Sequence, residues 1–101
     1  MYKRQVHPTA AVCGTPTAEA SALLTELEGM DRGRYAGPVG WLDARGDGEF
    51  GLALRCAEIS PADPCTARLF AGCGIVAGSD PAAELAETQV KFAAFQAALE
   101  G

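Results

Sequence analysis

Residues 45–59 have the sequence RGDGEFGLALRCAEI, a turn signal followed by an extended run. Arg45-Gly46-Asp47-Gly48 supplies residues that tolerate the positive φ angles of a tight hairpin. The run over residues 49–59 then alternates as a strand does, and a second strand is predicted just before the turn, over residues 38–44. This stretch therefore predicts an antiparallel hairpin at the centre of the fold.

The sequence after the hairpin predicts a third strand and a terminal helix. The strand is expected over residues 66–76, beyond a proline-containing loop at residues 61–64. Ser79-Asp80-Pro81 is a helix start, with proline near the first helical position and acids in the first turn, and the helix should end at about Leu99.

The sequence before the hairpin predicts an extended segment and a helix. Residues 6–16 contain two prolines and a glycine and are expected to be extended, ending in a turn. Thr17 is the expected N-cap of a helix over residues 18–27, and Gly29 its stop. The predicted fold class is α+β: an antiparallel three-stranded sheet with flanking helices. Such a sheet leaves two edges unpaired, which favours a fragment of a larger fold.

Composition excludes several classes of function. The chain has 101 residues and a net charge of −5 without a run of lysine or arginine, which argues against nucleic acid as the main partner. No apolar run is long enough to span a bilayer, and a secretory signal is not evident. The four cysteines form no CxxC pair, so zinc spacing is lacking, and a reduced, cytoplasmic protein is expected. Residues 1–5 are polar and basic and are predicted to be a non-native leader, with residues 6–101 forming the domain.

The predicted middle strand presents two different faces. Alternation places Phe50, Leu52, Leu54 and Cys56 on one face, as in an ordinary core. Arg55 lies on the other face among small residues. Its rigid fork of donors suits a carboxylate or a phosphate, but the same guanidinium could simply point to solvent.

Two further patterns have both a functional and a structural interpretation. Gly72 and Gly74 share one face of the predicted third strand, where a ligand could approach closely or a bulge could form. Glu84, Glu87 and Lys91 form a stripe on the terminal helix. Two carboxylates three residues apart could hold Mg²⁺; the alternative is a solvated face with an ordinary ion pair.

The order of short motifs along the chain resembles the C-terminal portion of the chorismate-binding family, whose large fold is that of anthranilate synthase component I. Among the members of this family, the sequences of these motifs are most similar to those of isochorismate synthases. The matching blocks are HPTAAVCGTP at residues 7–16, DRGRYAGPVGW at 31–41, GDGEF at 46–50, LRCAE at 54–58, LFAGCGIV at 69–76 and ELAETQVK at 84–91.

This resemblance implies a substrate site and a cofactor. Glu87 matches a magnesium-ligating glutamate, supported by Glu84, so Mg²⁺ is the implied cofactor. The substrate-binding positions implied for chorismate are Tyr35, Arg55, Gly72, Lys91, Ala11 and Val12. The family's catalytic lysine and glutamate lie upstream of the matched region, so no catalytic residue is assigned in this chain. The missing N-terminal portion of the same enzyme is then the implied partner.

The resemblance implies an enzyme that converts chorismate to isochorismate for siderophore or menaquinone biosynthesis, and it implies that this chain alone is inactive. A fragment of an anthranilate, aminodeoxychorismate or salicylate synthase is one alternative. A non-catalytic module that binds a small molecule or a partner is another, of a different class. The upstream reading frame and the product formed by the whole protein distinguish these hypotheses.

Overall fold

The computed structural model describes residues 7–101, so the leader predicted at residues 1–5 lies outside the described residues. Helices and antiparallel strands alternate in an α+β arrangement. In chain order the elements are α1 (Ala10–Cys13), α2 (Thr17–Glu28), β1 (Pro38–Leu42), β2 (Gly48–Leu52), β3 (Cys56–Ser60), β4 (Asp63–Phe70) and α3 (Pro81–Glu100).

The strands form two separate two-stranded sheets, so the predicted three-stranded sheet is wrong. Strand β1 pairs with β2, and β3 pairs with β4, both antiparallel. The single strand predicted over residues 49–59 is interrupted at residues 53–55, where the backbone turns. Ala53 donates its N–H to Gly37 O at 2.9 Å and accepts from Ala36 N at 2.8 Å, which ties this corner to the turn before β1.

The first hairpin closes through one side chain. Asp43 Oδ1 accepts from the backbone N–H groups of Arg45 and Asp47, at 2.9 and 3.0 Å. Carboxylates of this kind stabilise turns by replacing backbone acceptors. Gly46 takes a φ of 90°, as the predicted turn requires. All residues of β1 and β2 are exposed, so the predicted core face of Phe50 and Leu52 is not buried by this chain.

The second hairpin ends earlier than predicted. Strand β4 covers Asp63–Phe70 rather than residues 66–76, so Gly72 and Gly74 follow the strand and are not in its interior. This matters for the site, because residues 71–76 are free of ladder hydrogen bonds and their backbone groups are available to other partners.

The helix boundaries follow local signals closely. Helix α2 ends at Gly29, which adopts the left-handed conformation with φ 59°, and α3 starts after Asp80, whose carboxylate accepts from Ala83 N at 2.8 Å. Thr17, expected as an N-cap, is the first residue of α2, and Pro16 takes the cap position. The extended segment predicted for residues 6–16 contains instead the short helix α1.

The chain is open for its length. Its radius of gyration is 15.7 Å, against about 13 Å for a compact domain of this size. The buried apolar residues are Cys13, Ala36 and Phe70, and many large apolar side chains are exposed. The small core therefore lies where α1, the turn before β1 and the end of β4 meet. No helix among the described residues combines the length and apolar character that crossing a bilayer requires.

Candidate active site

One pocket of about 210 Å³ collects every position predicted to bind substrate. It opens between α1, the turn before β1, the corner at residues 53–55, the segment after β4 and α3. Its walls are formed by Ala11, Val12, Arg32, Tyr35, Ala36, Leu54, Arg55, Gly72, Cys73, Gly74 and Lys91. Residues spread over 80 positions of sequence therefore converge on one concave surface.

The charged groups that line the pocket are all basic: Arg32, Arg55 and Lys91. Arg32 is paired with Glu28, and Lys91 Nζ lies 2.5 Å from Glu87 Oε1. Arg55 has no hydrogen-bonding or ion-pair partner within residues 7–101. The pocket therefore presents one guanidinium that has no direct partner among the described residues, and it suits an anionic ligand.

Lys91 joins the terminal helix to the segment after β4. Its Nζ donates to Gly72 O at 3.0 Å while pairing with the Glu87 carboxylate one turn earlier on α3. The side chain is about one-fifth exposed, so both contacts form at the pocket wall rather than in open solvent. The carbonyl of Gly72 can accept this hydrogen bond because it forms no hydrogen bond to a neighbouring strand.

Tyr35 approaches the same segment from the other side. Its ring stacks on Phe70 with centroids 5.2 Å apart and planes at 19°. A Cβ added to Gly72 would lie 2.9 Å from the Tyr35 hydroxyl, so glycine permits this close approach. Burial raises the pKa of the Tyr35 phenol, against the smaller opposing effect of the Arg32 charge, and the group stays protonated at neutral pH.

The two predicted metal ligands lie beside the pocket, not in its wall. Glu84 is half-buried and Glu87 is exposed, three residues apart on α3. The hydrogen bond from Lys91 and, to a smaller extent, the charge of Arg55 lower the pKa of Glu87, so its carboxylate and the pocket cations share one electrostatic environment.

The donor chemistry of this pair fits Mg²⁺. Both groups are carboxylates, and Mg²⁺ is often held by one or two carboxylates with water and substrate oxygens completing the shell. No group of three or more His, Cys, Asp or Glu side chains that could hold a metal occurs in the described part of the chain. Glu84 and Glu87 therefore provide part of a magnesium site at most.

Sequence reasoning missed Arg32 as a member of the site. It lies in a polar loop rich in glycine, where an arginine normally faces solvent. The signal that could have found it is the spacing of four residues to Glu28 at the end of the predicted helix, which allows an ion pair across one turn.

A larger, open cavity of about 610 Å³ lies against the C-terminal half of α2 and is lined by Glu28, Asp31 and Arg32 among others. Glu28 and Arg32 neutralise each other there through two contacts. We therefore regard the smaller, basic pocket as the candidate site.

This chain belongs to the family of chorismate binding enzymes, whose family model matches residues 2–100. A Mycobacterium tuberculosis protein with the provisional name isochorismate synthase MenF is 56% identical over 94 residues, covering 93% of this chain and 25% of that protein. Isochorismate synthase DhbC of Bacillus subtilis is 52% identical over 87 residues, 86% of this chain and 21% of that protein. Isochorismate synthase MenF of Bacillus subtilis is 46% identical over 97 residues, 96% of this chain and 20% of that protein.

The resemblance predicted from the sequence motifs is thereby confirmed at the level of the family. The chain spans about a fifth to a quarter of the length of these curated relatives. No solved structure matches the chain.

Proposed function

We propose that this chain forms part of the substrate site of an isochorismate synthase, with chorismate bound in the basic pocket. The observation that carries the proposal is Arg55, an unpaired guanidinium in a pocket whose other cations already have partners. Chorismate carries two carboxylates, and an arginine fork can bind one of them through two parallel hydrogen bonds. The names of the relatives supply the choice of substrate and product.

The other predicted positions have separate roles in this proposal. Tyr35 would donate its hydroxyl to the same carboxylate as Arg55, and the backbone at Gly72 would contribute a further polar contact. Ala11 and Val12 would pack against the ring. Lys91 would meet the second carboxylate.

Mg²⁺ would be held by Glu87 with help from Glu84. When bound, the ion would offset the charge of the ring carboxylate and reduce its repulsion from the acidic helix face. The work of this chain's own residues is to bind and orient: Arg55 and Tyr35 hold one end of the substrate, and Lys91 neutralises charge at the other.

Proton transfer is assigned to residues outside this chain. Forming isochorismate needs a base that activates water and an acid that protonates the departing hydroxyl. Within residues 7–101, the titratable groups in the pocket wall are Arg32, Tyr35, Arg55, Cys73 and Lys91, a set without a carboxyl or imidazole group. We propose that the remaining portion of a longer enzyme supplies the pair and packs on the exposed apolar side chains. Such an enzyme would act in siderophore or menaquinone biosynthesis.

Isothermal titration of chorismate into the 101-residue chain, with and without Mg²⁺, tests the proposal. We expect weak binding without turnover, and a loss of at least about tenfold in affinity for Arg55→Gln, the cost of one charge-assisted contact. Arg45→Gln is the matched control, because Arg45 pairs with Asp43 in the hairpin turn, outside the pocket. Equal affinities for the two variants would contradict the assignment of Arg55.

Product analysis of a complete enzyme containing this chain tests the choice of reaction. Incubation with chorismate and Mg²⁺, with and without ammonia, should give isochorismate. Anthranilate or salicylate as the product would replace the proposal with one of the related synthases. An uninterrupted upstream reading frame without the lysine and glutamates of the family would favour a non-catalytic binding module.

A further inference from the structure

Arg32 makes three hydrogen bonds to neighbouring elements of the chain. Its Nε and Nη2 donate to the two carboxylate oxygens of Glu28, at 2.8 and 2.5 Å. Its Nη1 donates to Val12 O at 2.8 Å. The guanidinium is thus locked in one orientation by α2 and by α1, and the bidentate geometry adds directional specificity to the charge pairing.

The locked guanidinium lies against the ring of Tyr35. Arg32 Cζ is 5.4 Å from the Tyr35 ring centroid, within the range of a cation–π contact. Tyr35 stacks in turn on the buried ring of Phe70, and the guanidinium of Arg68 lies 5.1 Å from that second ring. A continuous series of contacts therefore runs from Arg32 through two aromatic rings to Arg68.

The group in this series that matters for binding is the Tyr35 hydroxyl. A Cβ at Gly72 would lie 2.9 Å from this hydroxyl, so any side chain there would force the hydroxyl to shift. A phenol in the loop before β1 would otherwise sample several rotamers, at a cost in side-chain entropy when a ligand orders it. Contacts on the ring remove that freedom before any ligand arrives.

We infer that Arg32, anchored by Glu28, is a positioning residue that holds the Tyr35 hydroxyl and the Val12 backbone in the geometry of the pocket. Three of its five N–H donors are engaged by Glu28 and Val12, and the role inferred here is exerted through the ring of Tyr35. The inference rests on the proposed function for the identity of the ligand. The geometry of the Tyr35 and Phe70 rings, however, can be measured without any ligand.

The test uses the 101-residue chain and two readouts. Proton NMR at neutral pH measures the proximity of the Tyr35 and Phe70 rings through cross-relaxation between their protons. The chain carries Tyr2→Phe in these measurements, which leaves Tyr35 as the one tyrosine. Chorismate titration reports affinity. For Arg32→Gln we expect loss of the ring cross-peaks and an affinity lower by at least about tenfold, with the far-UV circular dichroism retained.

Arg32→Lys separates geometry from charge, because it restores the cation without the planar fork. We expect that Arg32→Lys restores neither the ring cross-peaks nor the chorismate affinity to the wild-type level. Arg45→Gln is again the matched control and should leave both unchanged. Ring cross-peaks that persist in Arg32→Gln, or full recovery of both readouts in Arg32→Lys, would overturn the inference.

Two further outcomes remain decisive. If Arg32→Gln fails to fold, Glu28→Gln is measured in its place. This variant keeps the Arg32 cation and removes one of the two carboxylate oxygens that anchor it. Unchanged ring cross-peaks in Glu28→Gln would overturn the inference. If chorismate does not bind the wild-type chain, the proposed function of the chain in binding fails, while the ring cross-peaks still decide whether Arg32 positions Tyr35.

Discussion

Gly72 is the residue at which the pocket tolerates least change. An alanine Cβ there would lie 2.9 Å from the Tyr35 hydroxyl, closer than side-chain carbons approach in real structures. The phenol cannot move away freely, since its ring is held between Phe70 and Arg32. Small-to-large changes in such places force displacements that cost roughly 1–3 kcal/mol.

We therefore predict that Gly72→Ala lowers chorismate affinity by about tenfold or more, measured by isothermal titration. Gly78→Ala is the matched control: a Cβ at Gly78 meets nothing within 4 Å, and Gly78 does not line the pocket. Equal affinities for the two alanine variants would show that the contact between Tyr35 and Gly72 is unimportant for binding.

Arg55 and Glu87 carry a second prediction, for a complete enzyme that contains this chain. Replacing either by alanine should lower kcat/KM by about 100-fold or more, because each removes a charge from the proposed substrate and metal site. Glu100→Ala removes an acid at the far end of the same helix and should leave kcat/KM nearly unchanged. Steady-state kinetics on the three variants checks this, and comparable rates would refute the site.

At this scale, the sequence motifs predicted six of the residues that line the pocket but did not predict Arg32. Arg55, Gly72 and Lys91 were predicted from motifs, and the structure brings them together. The role of Arg32 depends on Glu28, Val12 and Tyr35 at once, and the contact with Val12 joins residues 20 positions apart in sequence. Tertiary contacts of this kind leave no periodic signal in a sequence.

Helix α2 ends in the ion pair on which the Tyr35 geometry depends. The hydrogen bond from Arg32 lowers the pKa of Glu28, against a smaller opposing effect of burial. A carboxyl whose pKa is lower in the folded state stabilises folding at neutral pH. That contribution is present above the ordinary glutamate pKa of about 4.3 and is lost as the pH falls through the lowered value.

We predict that Glu28→Gln reduces the free energy of unfolding at neutral pH by roughly 1 kcal/mol and that this difference shrinks as the pH falls below about 4. Urea unfolding at several pH values measures it. Glu26→Gln is the control, with the same change in charge at an exposed position of the same helix. A difference between Glu28→Gln and wild type that grows on acidification would contradict the sign of this linkage.

Helices α2 and α3 were predictable because their ends are set by neighbouring residues. Asp80 and Pro81 start α3, and Gly29 ends α2, each through local backbone geometry. The strands were not predictable, because the interruption at residues 53–55 is set by two hydrogen bonds: Ala53 donates to Gly37 O and accepts from Ala36 N. Helix α1 was missed because prolines flank it on both sides, and prolines suggest extended structure when the residues between them are few.

At the scale of the molecule, the dominant feature is apolar surface. Leu85 and Leu99 on α3 are 61% and 55% exposed, and similar side chains are exposed on both hairpins. Exposure of so many large apolar side chains in one small chain is typical of a surface that another polypeptide covers. Composition predicted this in part, since a chain rich in Ala and Gly buries little area per residue.

We predict that the isolated chain binds a hydrophobic dye and associates as its concentration rises. The double variant Leu85→Lys/Leu99→Lys should reduce both without lowering the free energy of unfolding, because the leucines contribute little to the folded monomer. Gln89→Lys/Gln96→Lys, at exposed positions of the same helix and with the same change in charge, is the control. Dye fluorescence measures the binding of the dye, and light scattering measures association. Equal effects of the two double variants would show that the change in charge alone is responsible and would contradict the prediction.

The corner at residues 53–55 has a consequence for how this part of the chain can vary. Deleting or inserting one residue there would exchange inward and outward positions along β3 relative to Arg55, since side chains in a strand alternate. The hairpins themselves could lengthen at their outer turns without disturbing the pocket. Insertions are therefore expected to be tolerated at the two hairpin tips. The corner at residues 53–55, which joins the two hairpins, is expected to keep its length.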